Sequence, residues 1–278
     1  MNKDIYKDKN NNSIRVSKLN KYSGEVHFSN VAAKFVFEGK ETYVVNNKKF
    51  QVKKGEYIIG NNNQLSEVEI TENTVGLCID ISNEIITEIL ETVFENPDLK
   101  EFLLTDDFLI NKYNSERTNL GVKINQLSKE LLSVNSANLL SSELFYSIGE
   151  NIVNDQSLIF EQLSKLNYKK QEVSEDVFRN LLHSKHFIDD SFLKPINLDD
   201  LVSISHISKY AFIRQFKMTF GITPYHYIMQ KRLNYAKKKL LSGSKIIDLA
   251  IETNFADTPS FSKAFKTHFG VSPSKILK

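Results

Sequence analysis

The sequence predicts an α+β chain: a β-rich N-terminal sandwich or barrel with helices after it, then an all-α C-terminal domain of two repeated helical units joined by a helix. Three observations predict it. Short β-favouring runs separated by turn residues fill positions 14–82, apolar residues at helical spacing take over from 83, and a thirteen-residue segment recurs 49 positions later near the C-terminus.

The β region reads as Ala33–Phe37, Thr42–Val45, Lys49–Val52, Tyr57–Ile59 and Val75–Ile81, broken by Glu38-Gly39-Lys40, Asn46-Asn47, Lys54-Gly55-Glu56 and Gly60–Asn63. Short strands at short spacing fit a small sandwich or barrel. Helical series follow: Ile85, Ile86, Ile89, Leu90, Val93 and Phe94; then Ile124, Leu127, Leu131, Leu132 and Val134; then Leu139, Leu140, Leu144, Ile148 and Ile152. The polar stretch Lys165–Glu175 is expected to be a linker region.

Composition bounds the function. The chain has 278 residues, 41% hydrophobic and 25% charged, which excludes a disordered chain, a collagen and a coiled-coil rod. No apolar stretch reaches the ~18 residues of a membrane helix, and the polar segment 1–13 carries no signal-peptide core and is expected to be a flexible tail. The lone Cys78 excludes an intrachain disulfide and a cysteine-rich zinc site. A reduced, cytoplasmic protein is expected, with Cys78 as an inert thiol in an apolar run. The net charge of +2 hides an asymmetry: residues 195–278 hold 13 Lys and Arg against five Asp and Glu, a net of +8, so residues 1–194 sum to −6. A basic third on an acidic body points to a module that binds a polyanion.

The repeat carries the argument. Phe212-Ile-Arg-Gln-Phe-Lys-Met-Thr-Phe-Gly-Ile-Thr-Pro224 returns as Phe261-Ser-Lys-Ala-Phe-Lys-Thr-His-Phe-Gly-Val-Ser-Pro273. Phenylalanines four apart share one helix face and belong to a core. Gly221 suits a helix end, Thr223-Pro224 suits the next helix start, and Asn197 suits a cap before Asp199 and Asp200, with Ser208 capping the helix of the first repeat. Helix, tight turn and second helix with basic residues outward make a helix-turn-helix, twice. In the second copy Ile246, Ile247, Leu249 and Ala250 pack the first helix, Asn254-Phe255 turns the chain and Asp257 or Thr258 caps. Between the units, Met229, Leu233, Ala236 and Leu240 predict the buried seam of a helix over 224–241. Eighteen residues span about 27 Å, a strut that could set two reading helices in successive major-groove segments roughly 34 Å apart.

These residues resemble the AraC/XylS family of bacterial transcription regulators. The resemblance rests on Ile246–Ala250, Asn254–Asp257, Ser260–Lys266 and Gly270–Pro273, with Arg232-Leu233, Ala236 and Leu240-Leu241 upstream. Asn254 stands where the family usually has Gly, Val202 where it usually has Ala, and the terminus lacks the usual aromatic-Arg ending. The resemblance implies double-stranded DNA as partner, with base contacts from Tyr210, Ile213, Arg214, Thr258, Pro259, Ser260 and Lys263. Ser208, Lys217, Lys237, Lys238, Lys239 and Lys266 suit phosphates, which position without specifying sequence. It further implies an activator that works with RNA polymerase, with 14–165 a β-rich sensor or dimerisation domain, 166–190 a linker region and helix, and 191–278 the DNA-binding domain.

Phe37-Glu38-Gly39 through Lys54–Ile58 is cupin-like, yet only His27 lies in the β region, so no metal or other cofactor is expected. The signal is then a small molecule in the barrel or a regulatory protein, and Leu127, Leu131 and Leu132 mark a candidate homodimer helix, or one packed on its own barrel. No enzyme constellation emerges: His183 and His186 lack a zincin partner, and no phosphate loop is present. The alternative function is a non-catalytic adaptor whose basic domain binds an acidic protein.

Overall fold

Strand formation begins at the second residue. The computed structural model describes residues 2–276 apart from 29, 46–47, 62–64, 106–107, 133–140 and 167. Strands β1 (Asn2–Lys7) and β2 (Ser13–Leu19) form an antiparallel hairpin. The segment 1–13, expected as a tail, is therefore part of a sheet. The reason is local: Asp8 accepts from the backbone N–H of Asn10 and Asn12, both at 2.9 Å, and Asn11 takes a left-handed φ of 62°. Asn12, fully buried, then accepts from the Ser82 N–H at 2.7 Å.

Strands β3 (Tyr22–His27), β4 (Val31–Glu38), β5 (Lys40–Val45), β6 (Lys48–Lys53), β7 (Glu56–Gly60), β8 (Leu65–Ile70) and β9 (Thr74–Ile81) follow. Two antiparallel sheets result, β1-β2-β9-β4-β7-β10 and β3-β8-β5-β6. The tenth strand, β10 (Asn111–Asn114), completes the first sheet on β7. Gly39 and Gly55 turn the chain from one sheet to the other, between β4 and β5 and between β6 and β7, at φ 78° and 80°. Val31 through Val36 are all buried, as a central strand covered on both faces must be.

The helices of this part are α1 (Asn83–Ile89), α2 (Pro97–Leu104), α3 (Asn119–Leu132) and α4 (Ser142–Ser164). After α1 the chain makes a π-helical turn, Leu90–Phe94, closed by the Glu95 N–H on Leu90 O at 2.9 Å. The extra residue rotates the helix face, so Val93, expected on the apolar side, is 61% exposed. Asp155 of α4 caps α3, accepting from the N–H groups of Asn119 and Leu120 at 3.1 and 2.8 Å. Leu127 is buried within this unit and Leu131 half-buried. Val134, Leu139, Leu140, Asn46-Asn47, Asn62-Asn63 and the side chains of Leu132 and His27 lie outside the described residues.

The chain divides into two units, Met1–Glu161 and Gln162–Lys278. The second unit includes α5 (Gln171–Ser191), which takes in Gln171–Glu175 of the polar stretch expected as a linker region and lies where a linker region and helix were expected over 166–190. Its buried Phe178, Leu181, Leu182 and Ile188 give it a core-facing stripe, and Ser184 donates to Leu201 O at 3.3 Å. Then come α6 (Leu198–Ser205), α7 (Lys209–Phe220), α8 (Pro224–Leu241), α9 (Ile246–Glu252), α10 (Thr258–Phe269) and α11 (Pro273–Ile276). No described helix is long and apolar enough to cross a membrane.

Candidate nucleic-acid interface

The first unit of the repeat is punctuated by its own side chains. Asn197 accepts from the Asp200 N–H and Asp200 from the Asn197 N–H, both at 2.9 Å, a capping box that starts α6. His206 ends α6 in the left-handed region at φ 53°. Ser208 occupies the N-cap position of α7 without a side-chain cap bond; only its carbonyl engages, accepting from Phe212 N–H at 2.8 Å. Gly221 ends α7 at φ 74°, and Thr223 starts α8 by accepting from the His226 N–H at 3.3 Å. In the second unit Asp257, not Thr258, caps α10, accepting from Ser260 N–H at 2.6 Å, and Gly270 ends it at φ 75°.

The sequence repeat is a repeat in space. Ring centroids of Phe212 and Phe216 are 5.6 Å apart, and those of Phe261 and Phe265 are 5.7 Å apart. Phe216–Phe220 and Phe265–Phe269 match likewise at 4.7 and 4.6 Å. Phe212, Phe216, Phe261 and Phe265 are fully buried, so the stripe is core. Burying each such ring contributes about 1.5–3 kcal/mol, which fixes the opposite face of α7 and of α10 outward.

That outward face holds the base-reading candidates. On α7, Tyr210 is 93% exposed, Ile213 is at the edge of exposure and Arg214 is exposed. On α10, Pro259, Ser260 and Lys263 are exposed, and Thr258 is half-buried in the first turn. Arg214 and Lys263 occupy equivalent positions of the two copies, as do Lys217 and Lys266. Ser208, Lys217, Lys238 and Lys266 are exposed beside these faces. Lys237 and Lys239, also exposed, lie over the rings of Phe269 at 4.6 Å and Tyr235 at 5.6 Å. Such a cation–π contact holds the ammonium in place while leaving it open to an anion.

The α8 seam differs from the expected one. Leu233, Ala236 and Leu240 are buried with Leu249, Ala250, Phe261 and Phe265 in the core of the second unit. Met229 is only half-buried; Ile228 and, unexpectedly, Arg232 take the inner positions. Arg232 donates through Nε to Phe192 O at 2.7 Å and through Nη2 to Lys194 O at 2.9 Å. Asn254, at φ 55° where α9 turns toward α10, donates to the intervening Leu193 O. Three successive carbonyls past the end of α5 are thus tied to the strut and to the turn of the second unit. Sequence alone offered Arg232 as part of the resemblance and Asn254 as a departure from it, but their carbonyl partners lie 40 and 38 residues away for Arg232 and 61 for Asn254.

A second brace lies on α5. Asp189 accepts from Tyr227 Oη at 2.7 Å and pairs with Lys231 at 2.6 Å and Lys185 at 3.6 Å. Burial acts to raise the Asp189 carboxyl, but the Lys231 and Tyr227 hydrogen bonds and the Lys185 charge outweigh it and hold it below its ordinary value. His183 is exposed on the same helix, and no group of metal-ligating side chains occurs among the described residues.

The first unit carries a cavity of about 290 Å³ lined from both sheets. Cys78, expected in apolar surroundings, lines it beside Lys34 and Arg15. The interruption of an apolar strand by Lys34 was the available signal for this polar cluster.

Comparison with known proteins agrees with the repeat. A helix-turn-helix domain family model matches residues 201–278. The Transposon Tn10 TetD protein of Escherichia coli is 33% identical over 112 residues, covering 40% of this chain and 78% of TetD. The probable transcriptional regulator LumQ of Photobacterium leiognathi is 27% identical over 167 residues, covering 60% of this chain and 64% of LumQ. Among solved structures, ToxT of Vibrio cholerae aligns over 95% of this chain and 97% of its own at 16% identity, with a TM-score of 0.37. The chain spans between 43% and 64% of the length of the first three curated relatives it matches. With the duplicated helix-turn-helix and these relatives, the chain belongs to the AraC/XylS family of transcription regulators.

Proposed function

We propose that the chain is a sequence-specific DNA-binding transcription regulator, an activator, and not an enzyme. The observation that carries this is the duplicated exposed face: each copy buries its phenylalanines and turns a basic residue, Arg214 or Lys263, outward at the same register. Arg214 pairs with guanine O6 and N7, and Lys263 donates to guanine. Tyr210, Ser260 and Thr258 add contacts to base edges, while Ile213 and Pro259 suit a thymine methyl. Ser208, Lys217, Lys266 and the Lys237–Lys239 run take phosphates. The protein acts in the cytoplasm, where DNA and RNA polymerase are its partners.

The first unit is the sensor, and it also serves as a homodimer surface. Its cavity between two sheets favours a small molecule over a regulatory protein as the signal.

The test is a gel-shift titration on a duplex recovered by selection from random oligonucleotides. Arg214→Ala should cost about 1–3 kcal/mol and relax specificity at one position. Operator affinity and specificity unchanged in a folded Arg214→Ala protein would remove that assignment.

A further inference from the structure

The cavity of the first unit has an unusual wall. Arg15, Cys78 and Lys34 lie in one row across β2, β9 and β4, since Cys78 is in register with both. Glu41 and Tyr43 of β5 line it from the other sheet. Asp80 sits behind the row, accepting from Arg15 Nη2 at 2.9 Å and Ser13 Oγ at 2.7 Å, with Lys34 Nζ at 3.7 Å. Lys34 and Glu41 are both buried, at 7% and 6% exposure. Charged side chains at that depth are costly unless each is answered.

They are answered in number, but not every donor and acceptor is hydrogen-bonded. The two cations Arg15 and Lys34 are balanced by the two carboxylates Asp80 and Glu41. Burial acts to lower the Lys34 ammonium, but its neighbours Cys78 and Asp80 outweigh it, so it stays charged. Burial pushes the Glu41 carboxyl up against the Tyr43 hydrogen bond and the Lys34 charge. Arg15 Nε makes no hydrogen bond and lies 3.8 Å from Asp4 Oδ1, while Lys34 donates to Cys78 Sγ, reaches Asp80 only beyond hydrogen-bond length and so keeps N–H donors to spare. Glu41 Oε2 accepts from Tyr43 Oη at 2.5 Å, and Oε1 accepts from no group among the described residues. Gly76 makes room there: a Cβ at that position would come within 3.0 Å of Glu41 Oε1. The wall therefore offers spare donors on one sheet and a spare acceptor on the other. Most of the remaining lining, including Leu19, Val68, Ile70 and Leu77, is apolar, with Ser17 and the exposed Tyr22 and Glu25 as its other polar members.

We infer that this cavity takes a free α-amino acid with an apolar side chain: its carboxylate faces Arg15 and Lys34, its ammonium faces Glu41, and its side chain lies on the apolar wall. Charge decides the class. With Glu41 ionised, the four buried and half-buried groups sum to zero, and the exposed Asp4 and Glu25 are left to the screening of water, so a monocarboxylate leaves a buried excess of negative charge and a simple amine an excess of positive charge. A zwitterion leaves none and fills donors and acceptor together. Size agrees, because about 290 Å³ is at the small end of the roughly 300–1,000 Å³ of ligand pockets and fits a metabolite. The inference rests on the proposal that the first unit senses a small molecule.

The experiment is thermal melting and calorimetric titration of the full chain with L-leucine and L-phenylalanine. Each is compared with its decarboxylated amine (3-methylbutylamine, 2-phenylethylamine) and its deaminated acid (4-methylpentanoate, 3-phenylpropanoate), and D-glucose serves as a neutral polyol. The expected result is saturable binding of at least one of the amino acids, at least about tenfold tighter than its amine or acid. Glu41→Gln should weaken it by about tenfold or more, and Leu19→Trp, which fills the half-buried mouth, should abolish it. If glucose, an acid or an amine binds as tightly as the amino acid and Leu19→Trp removes that binding, the amino-acid assignment is overturned while the sensor cavity stands. If no probe binds, or binding survives Leu19→Trp, the cavity is not the effector site and both readings fall.

Discussion

Arg232 is the side chain on which the geometry of the DNA-binding unit most depends. Replacing it with Met keeps the aliphatic stem in the α8 seam and removes the guanidinium. Two hydrogen bonds, of 2.7 and 2.9 Å to Phe192 O and Lys194 O, are lost. Hydrogen bonds from a charged donor contribute about 1.5–3 kcal/mol each. Lys194 is exposed and its carbonyl regains water, whereas Phe192 is half-buried and regains less. The net loss is then about 2–4 kcal/mol. The second unit runs from Gln162 to Lys278, and for that size roughly 4 °C per kcal/mol gives a fall of about 8–16 °C in its melting temperature. Circular-dichroism melting of the full chain reads this as early loss of helix. Arg232→Lys, which can reach one carbonyl, should fall between. A folded Arg232→Met protein melting within about 2 °C of the parent would refute the reasoning, because the carbonyls would then need no partner.

Other substitutions follow from the same structure. Gly221→Ala places a Cβ where nothing lies within 4 Å but φ is 74°; the cost is backbone strain alone, about 1 kcal/mol in a denaturation midpoint. Lys217→Ala and Lys266→Ala should each reduce the slope of log affinity against log salt by about 0.9, measured by gel shift, with base preference unchanged. Asp189 has its carboxyl held below the ordinary value. A depressed folded value contributes stability that is fully present above the unfolded pKa of about 3.9 and is lost as pH falls through the folded one. The parent should therefore lose stability more steeply than Asp189→Asn in acid melts below about pH 4, and be the more stable of the two at neutral pH.

What the residues revealed in advance depended on how local the cause was. The helix-turn-helix units were legible because their signals sit within a dozen residues: phenylalanines four apart, a glycine at the helix end and a proline after it. Strands β4, β5, β6, β7 and β9 were legible from β-branched and aromatic runs between turns, whereas β2, β3 and β8 were not among those runs. Strand β1 was not, because Asn2–Lys7 is polar and gains its place from pairing with β2 and from the Asp8 turn. The short, polar β10 was hidden likewise; its Tyr113 stacks on Tyr57 at 5.2 Å, a partner more than fifty residues away. The inward Arg232 and the Lys34–Glu41 wall were missed for one reason. A charged residue reads as exposed until the group that answers it is known, and Phe192 and Glu41 are not neighbours in sequence. Leu127 could be read as a dimer face or a packed one; its burial inside its own unit favours the second.

Selection of double-stranded oligonucleotides from a random pool by the purified full chain tests the two-grip account at its root. The recovered sequences should contain two constrained blocks about one helical turn apart, with Arg214→Ala relaxing constraint at one position of one block and Lys263→Ala at one position of the other. Recovery of a single block, or loss of both blocks from either substitution in a folded protein, would contradict it.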